Sequence, residues 1–437
     1  LFEQKGPFLY FLFALTSMVS YKTFLGVYFL EILCGTVFLY YSLKILELYC
    51  EGRAMYCLPF LAVAVFTCRA FVHGGSAEEF CFPMLTASLY LFIKAAKQQS
   101  GPSNWESFCI GLLSVCIFWT KFTLVGIYVG WFLVFACEML YRRKARQLGR
   151  TVVFILAGLA AGTLPYVLYF GYHHAIRDWL EVYLYDNLFL YSPIQTDSNP
   201  YIDMAKKVYY GLWHLHYIDA VLPLIGIGAL SFFIHRRALE GLYVLSMLAG
   251  TLVFCYIGGR YSRYYSLSVV PFVCLGFIPI CLLFSKIKKS PGTTRLLYSG
   301  YALLIAVAVF LTPNRYLMLV DKSVLPQYEF ARQITETPDA TLLNYDFLDG
   351  GFYTTTGIVP NCRAFCKLNI SLEELTRLQK DTVENGLCDY VVTNNEELTQ
   401  ADPNGLYALV DSKTYDLEGD FRTYYLYRLK SLGEETA

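Results

Sequence analysis

The chain has 437 residues, a formal net charge of zero, 56% hydrophobic residues and only 16% charged ones. Soluble domains carry about a quarter charged residues, and a core of this size could not be covered by so few charges, which excludes an ordinary soluble protein. A mean hydropathy of +0.42 points to the membrane class, and the neutral balance gives no sign of a nucleic-acid partner.

The chain opens on LFEQKGPFLYFLFAL, residues 1–15, where Glu3 and Lys5 run through a Gly6-Pro7 break into an aromatic, apolar helix. The first residue is Leu and no signal peptide precedes it, so at least one upstream membrane segment is expected to be missing. A spanning helix needs about 20 mainly apolar residues. The stretches 22–46, 54–72, 77–97, 105–119, 122–141, 151–171, 217–235, 239–256, 265–285 and 294–311 qualify, giving about ten spans. Basic loops mark one side as cytoplasmic: Arg142, Arg143, Lys144, Arg146 and Arg150 form the strongest cluster, followed by Arg236-Arg237 and Lys286, Lys288 and Lys289. Read as one helix, residues 105–141 would be roughly 55 Å long against a hydrocarbon core of about 30 Å. A hairpin turning at Thr120-Lys121 resolves this and places Lys121 at the outer mouth.

The outer face then collects residues 1–6, 73–79, 120–121, 172–216, 258–263 and everything from 312 onward. Residues 175–191 set Trp179, Leu180, Tyr183, Leu184 and Leu188 against Arg177, Asp178, Glu181 and Asp186, as in a helix lying in the interface. Beyond Pro313 the composition becomes polar and mixed. Helices are expected over 324–335 and 371–382, the second capped by Ser371, with strands over 341–345, 390–393, 406–411 and 423–429. The fold class expected is mainly α: a polytopic membrane helix bundle with a small extracytoplasmic α/β domain. Three parts follow: the end of an outer loop with a juxtamembrane helix (1–20), the transmembrane body (21–312) and the α/β domain (313–437). The 14 cysteines read mostly as small buried hydrophobes, and a disulfide among Cys362, Cys366 and Cys388 is neither required nor excluded.

Five of the six histidines, His73, His173, His174, His214 and His216, fall on the outer face with Glu3, Lys5, Glu78, Glu79, Arg260 and Arg263. Glu78 and Glu79 sit in a helix first turn behind Ser76, where carboxylates suit the dipole; with His73 they are also candidates for holding a divalent metal ion or sugar hydroxyls. Arg69 lies in an apolar span, where a charge marks function or a buried pair, with Glu78 or Glu79 as the expected partner. Lys121, between Trp119 and Phe122, reads as a snorkelling lysine or as a phosphate-binding charge. In GGRYSRYY, residues 258–265, Arg260 and Arg263 offer bidentate phosphate grip, and Tyr264 and Tyr265 offer faces for sugar or isoprenoid.

Together these segments resemble the GT-C superfamily of polyprenyl-phosphate-sugar-dependent glycosyltransferases, which includes protein O-mannosyltransferases and aminoarabinose transferases. Residues 2–10, FEQKGPFLY, look like the family's acidic-Lys-Pro/Gly-Pro-Leu-Tyr segment. His73 to Glu79 match its second acidic outer loop, Trp119-Thr120-Lys121-Phe122-Thr123 its Thr-Lys-aromatic motif, and Arg263-Tyr264-Tyr265 through Pro271 its late Arg-Tyr…Pro helix start. The resemblance covers roughly residues 1–312. It implies inverting sugar transfer from a polyprenyl-phosphate donor to an acceptor glycan, lipid or protein, on the extracytoplasmic face of a bacterial plasma membrane. Glu3, Glu78 and Glu79 would be the catalytic acids, with the family's usual catalytic acid upstream of Leu1. Lys5, Lys121, Arg260 and Arg263 would hold the donor phosphate, and Arg69, His73, Tyr264 and Tyr265 would line the substrate cavity. On this reading Lys121→Ala abolishes transfer in a folded protein. Alternatives are a polymerase or ligase using lipid-linked oligosaccharide, a lipid-linked-glycan transporter, and a non-catalytic accessory subunit.

Overall fold

The structure, a computed structural model, describes residues 4–50, 52–191, 199–219, 221–284, 291–370, 372–417 and 420–434. Helix α1 (Pro7–Ser17) leads into α2 (Leu25–Glu47), α3 (Leu58–Phe66) and α4 (Ala77–Gln98). Next come α5 (Asn104–Lys121), α6 (Gly126–Tyr141) and α7 (Ala145–Tyr172). Short α8 (Ile176–Leu180) continues as a π-helix, Glu181–Leu190. The bundle ends with α9 (Pro200–Trp213), α10 (Leu222–Ile234), α11 (Ala238–Tyr256), a 3-10 segment Arg263–Phe272 that runs into α12 (Val273–Phe284), and α13 (Pro291–Leu311).

The protein is an integral membrane protein with fewer clear spans than the ten expected. Among the described residues six helical stretches are long and apolar enough to cross a bilayer: α2, α4, 104–141, α7, α11 and 263–283. A seventh is counted if Pro200–Ile218 and Leu222–Ile234, bent by 109°, form one span. The stretch 54–72 falls short because it breaks into a 3-10 turn Ala54–Cys57, the nine residues of α3 and another 3-10 turn, Arg69–Phe71. The stretch 104–141, one of the six, turns back on itself and so supplies two arms, α5 and α6. Lys121 is extended (φ −154°, ψ 97°) and a 3-10 turn, Phe122–Val125, follows it. The far ends meet: Arg142 donates to Gln99 at 3.3 Å, and a Cβ on Gly101 would lie 3.1 Å from the Phe135 ring.

Small residues let the helices approach closely, the packing rule for a lipid solvent. A Cβ on Gly111 would reach 2.2 Å from the Ile155 carbonyl oxygen of α7, and one on Gly126 would reach 2.1 Å from Gly250 of α11. Trp131 stacks between Phe92 (4.5 Å) and Phe135 (4.9 Å) at the centre. By contrast α7 turns Val153, Leu156, Leu164 and Leu168 outward, as a lipid-facing helix must.

The C-terminal part has helices α14 (Pro326–Ile334), α15 (Phe352–Thr356) and α16 (Glu373–Glu384) over a four-stranded sheet, order β1-β2-β4-β3, with β1 (Leu342–Asn344), β2 (Tyr390–Asn394), β3 (Tyr407–Leu417) and β4 (Asp420–Leu429). The pair β1/β2 is parallel and the others antiparallel. Leu372 occupies the N-cap of α16 without a side-chain cap, and Ser371, the expected cap, lies outside the described residues. Among the described residues Cys362, Cys366 and Cys388 form no disulfide. Val182 of the π-helix packs against the small apolar cluster of Ala364 and Leu375, which seats this α/β unit on the bundle.

Candidate functional site

The two carboxylates at the start of α4 go to opposite sides. The Ser76 hydroxyl accepts from the Glu79 N–H and the Glu79 carboxylate accepts from the Ser76 N–H, both at 3.4 Å, a complete capping box, and the carboxylate also accepts from the Ser76 hydroxyl at 2.9 Å. Glu79 faces Glu31 of α2, close enough to share a hydrogen bond, and Glu31 also accepts from the Gly75 N–H at 2.5 Å. Glu78 turns the other way and forms a buried ion pair with Lys121 at the end of α5, the side chains 1% and 11% exposed. The ammonium lies 3.5 Å from the centroid of the Tyr265 ring and 5.5 Å from that of Tyr264. The second Glu78 oxygen is buried with no hydrogen-bond partner among the described residues.

The opening segment is wedged against this corner. Gly6 packs so tightly on α5 that a Cβ there would sit 1.9 Å from the Trp119 carbonyl oxygen. Only glycine fits, and Pro7 then starts α1 at a position where its missing N–H costs nothing. Asn187 of the π-helix donates to the Gln4 carbonyl at 2.8 Å and fixes the other side of the segment. Lys5 is thereby held in the wall of a cavity of about 800 Å³, with Tyr10, Asp178, Trp179, Tyr183 and, from the C-terminal unit, Asp349, Arg363 and Phe365. Tyr183 braces the turn after α5: its hydroxyl donates to the Phe118 carbonyl and accepts from the Phe122 N–H at 3.2 Å. Burial pushes the Asp349 carboxyl above the usual carboxylate range, against the lowering effect of hydrogen bonds from Gly351 and Asn344.

Behind this cavity lies an apolar groove of about 570 Å³ between α5, α6 and α7, lined by Ile110, Val115, Phe118, Trp119, Phe132 and Leu156 among others. Trp119 packs against Trp179 at 4.5 Å, the rings tilted by 44°, and lies 5.5 Å from Tyr183. These three rings form the partition between the polar cavity and the groove.

The remaining expected residues are spread wider. Arg69 pairs with Asp219 at 2.8 Å, in place of Glu78 or Glu79, because the 3-10 turn Arg69–Phe71 carries it out to the surface, where both partners are 62% exposed. Arg263 donates to His73 Nδ1 at 2.5 Å, and Tyr316 meets the other ring nitrogen at 3.2 Å. Arg260 donates to the Tyr191 carbonyl at 2.7 Å and lies over the Tyr191 ring. Glu3 lies outside the described residues. Glu78, Glu79 and His73 therefore have three different sets of neighbours; among the described residues no group of three or more His, Cys, Asp or Glu is placed to hold a metal ion. Sequence reasoning passed over Glu31, although a single carboxylate inside an apolar helix is the signal for such a residue, and over Asp349 and Arg363, which carry no motif.

No protein-family model and no curated protein matches the sequence. The fold is shared with solved structures, two of which are of one enzyme. One is the crystal structure of ArnT from Cupriavidus metallidurans bound to undecaprenyl phosphate (TM-score 0.60, 13% identity), and the other is the same enzyme in the apo state (TM-score 0.57, 14% identity). Each alignment covers 97% of this chain and 88% of ArnT. The chain therefore has the fold that its GT-C resemblance implies, carried through the C-terminal α/β unit as well as the bundle.

Proposed function

We propose that the chain is a membrane glycosyltransferase that moves a sugar from a polyprenyl-phosphate donor to an acceptor hydroxyl on the extracytoplasmic face of a bacterial plasma membrane. The observation that carries this reading is that Trp119, Trp179 and Tyr183 stand between a cavity lined by Lys5 and other charged side chains and an apolar groove formed by α5, α6 and α7. An amphiphile with a phosphate head and an isoprenoid tail has the two chemistries these spaces offer, and undecaprenyl phosphate is the ligand of the structural neighbour.

The chemistry then runs as a single displacement. The acceptor oxygen attacks the anomeric carbon, the bond to the lipid phosphate breaks, and the anomeric centre inverts. A carboxylate takes the acceptor proton; Asp178 and Asp349 line the space that the acceptor would enter. Lys5 stabilises the departing phosphate. Phosphate leaves readily, so no general acid is needed. Lys121, neutralised by Glu78, supports the corner from behind. A volume of about 800 Å³ also accommodates a lipid-linked oligosaccharide, the donor of a polymerase or ligase.

The test is to incubate the purified protein with polyprenyl phosphates carrying single sugars or oligosaccharides and to measure free polyprenyl phosphate. Release from one class that requires Lys5 supports the reading and selects the donor; no release from either class contradicts it.

A further inference from the structure

The expected donor-binding residues all precede the α/β unit, yet that unit also lines the cavity around Lys5. Arg363 lies in the loop between α15 and α16 and lines the same cavity as Lys5. Its position is set by packing: its neighbours Cys362 and Ala364 belong to the apolar cluster with Leu375, against which Val182 of the π-helix is seated. The same short helical stretch contributes Asp178, Trp179 and Tyr183 to the cavity. The arginine is thus fixed relative to the membrane body through one contiguous contact. Glu374, 3.8 Å from its guanidinium, is one of its partners, and both side chains are at least half exposed.

Two cations from separate parts of the chain, lining one cavity beside an apolar groove, match the requirements of an anionic lipid head. A guanidinium presents a planar fork to phosphate oxygens, whereas an ammonium is a point charge. Asp178 and Asp349 lie in the same wall and suit sugar hydroxyls better than phosphate. Resting on the donor reading above, we infer that Arg363 is a second ligand of the donor phosphate, opposite Lys5, so that the C-terminal α/β unit completes the donor site and is required for donor affinity.

The experiment is a titration of the full chain in nanodiscs with undecaprenyl phosphate, comparing the wild type with Arg363→Gln, Arg363→Lys and Lys5→Gln, each checked by thermal unfolding. The inference predicts about tenfold weaker binding for Arg363→Gln, the size of one charge-assisted contact, and a smaller loss for Arg363→Lys, which keeps the charge but not the fork. If Lys5→Gln weakens binding while Arg363→Gln leaves it unchanged, the inference is overturned and the donor reading stands. If neither variant changes binding, both fall. Should Arg363→Gln unfold the α/β unit, Arg363→Lys decides alone: several-fold weaker binding supports the inference, and wild-type binding overturns it.

Discussion

Lys121 and Glu78 form a buried ion pair that ties the end of α5 to the start of α4. Removing one member of such a pair leaves an uncompensated charge in an apolar site, a loss on the order of 3–5 kcal/mol. The pairing alters what Lys121→Ala is expected to do, because inactivity in that variant would reflect a damaged fold as much as lost chemistry. Lys121→Met should lower the unfolding temperature sharply, and adding Glu78→Gln should recover most of it. A thermal scan of the single and double variants checks this, and equal unfolding temperatures for wild type and Lys121→Met would argue against a structural pair.

Gly6 meets backbone, not a flexible side chain, at the Trp119 carbonyl. Gly6→Ala must therefore displace the segment that carries Lys5. Binding of undecaprenyl phosphate should fall by about tenfold, the loss of one charge-assisted contact, while the C-terminal unit remains folded. Far-ultraviolet dichroism together with lipid titration separates the two effects.

Asp349 supplies a pH signature. Its folded pKa is raised by burial, so the neutral form is the one the fold prefers. Its contribution to stability is fully present below the ordinary carboxylate range and is lost as pH rises through the raised folded value. Asp349→Asn should flatten this part of the stability profile. Unfolding temperatures of wild type and variant, measured from pH 4 to pH 8, should diverge as pH rises, with the variant the more stable at the upper end.

Arg69 gives the opposite case. Its pair with Asp219 is 62% exposed on both sides, and exposed pairs contribute about 0–1 kcal/mol. Arg69→Gln should leave unfolding almost unchanged; a loss of several degrees would mean that the residue is held in a drier environment than this geometry provides.

Much of the fold was legible because it rests on local patterns. Ser76 before two carboxylates signals a helix start and is one. The excessive length of residues 104–141 for one span, together with Lys121 at their centre, signals the hairpin. Alternating residues near 406–411 and 423–429 foretell β3 and β4. The count of spans was less legible, because apolar composition over 54–72 does not reveal the 3-10 turns that break it. Side-chain direction was not legible at all. Adjacent Glu78 and Glu79 read as a pair, but successive helical positions point about 100° apart, and their partners come from α5 and α2, far off in sequence. Asp349 and Arg363 reach the cavity only through the seating of Ala364 and Leu375 on Val182, a contact that no local pattern encodes.

The central claim is that a polar cavity at Lys5 and the groove behind Trp119 together hold a lipid phosphate. Its most direct measurement compares binding of undecaprenyl phosphate with binding of undecaprenol, which has the same tail and no phosphate, to the wild type and to Lys5→Gln. The account predicts saturable binding of the phosphate by the wild type, at least tenfold tighter than the alcohol, and a difference that largely disappears in Lys5→Gln. Equal affinity of the wild type for the two lipids would contradict it.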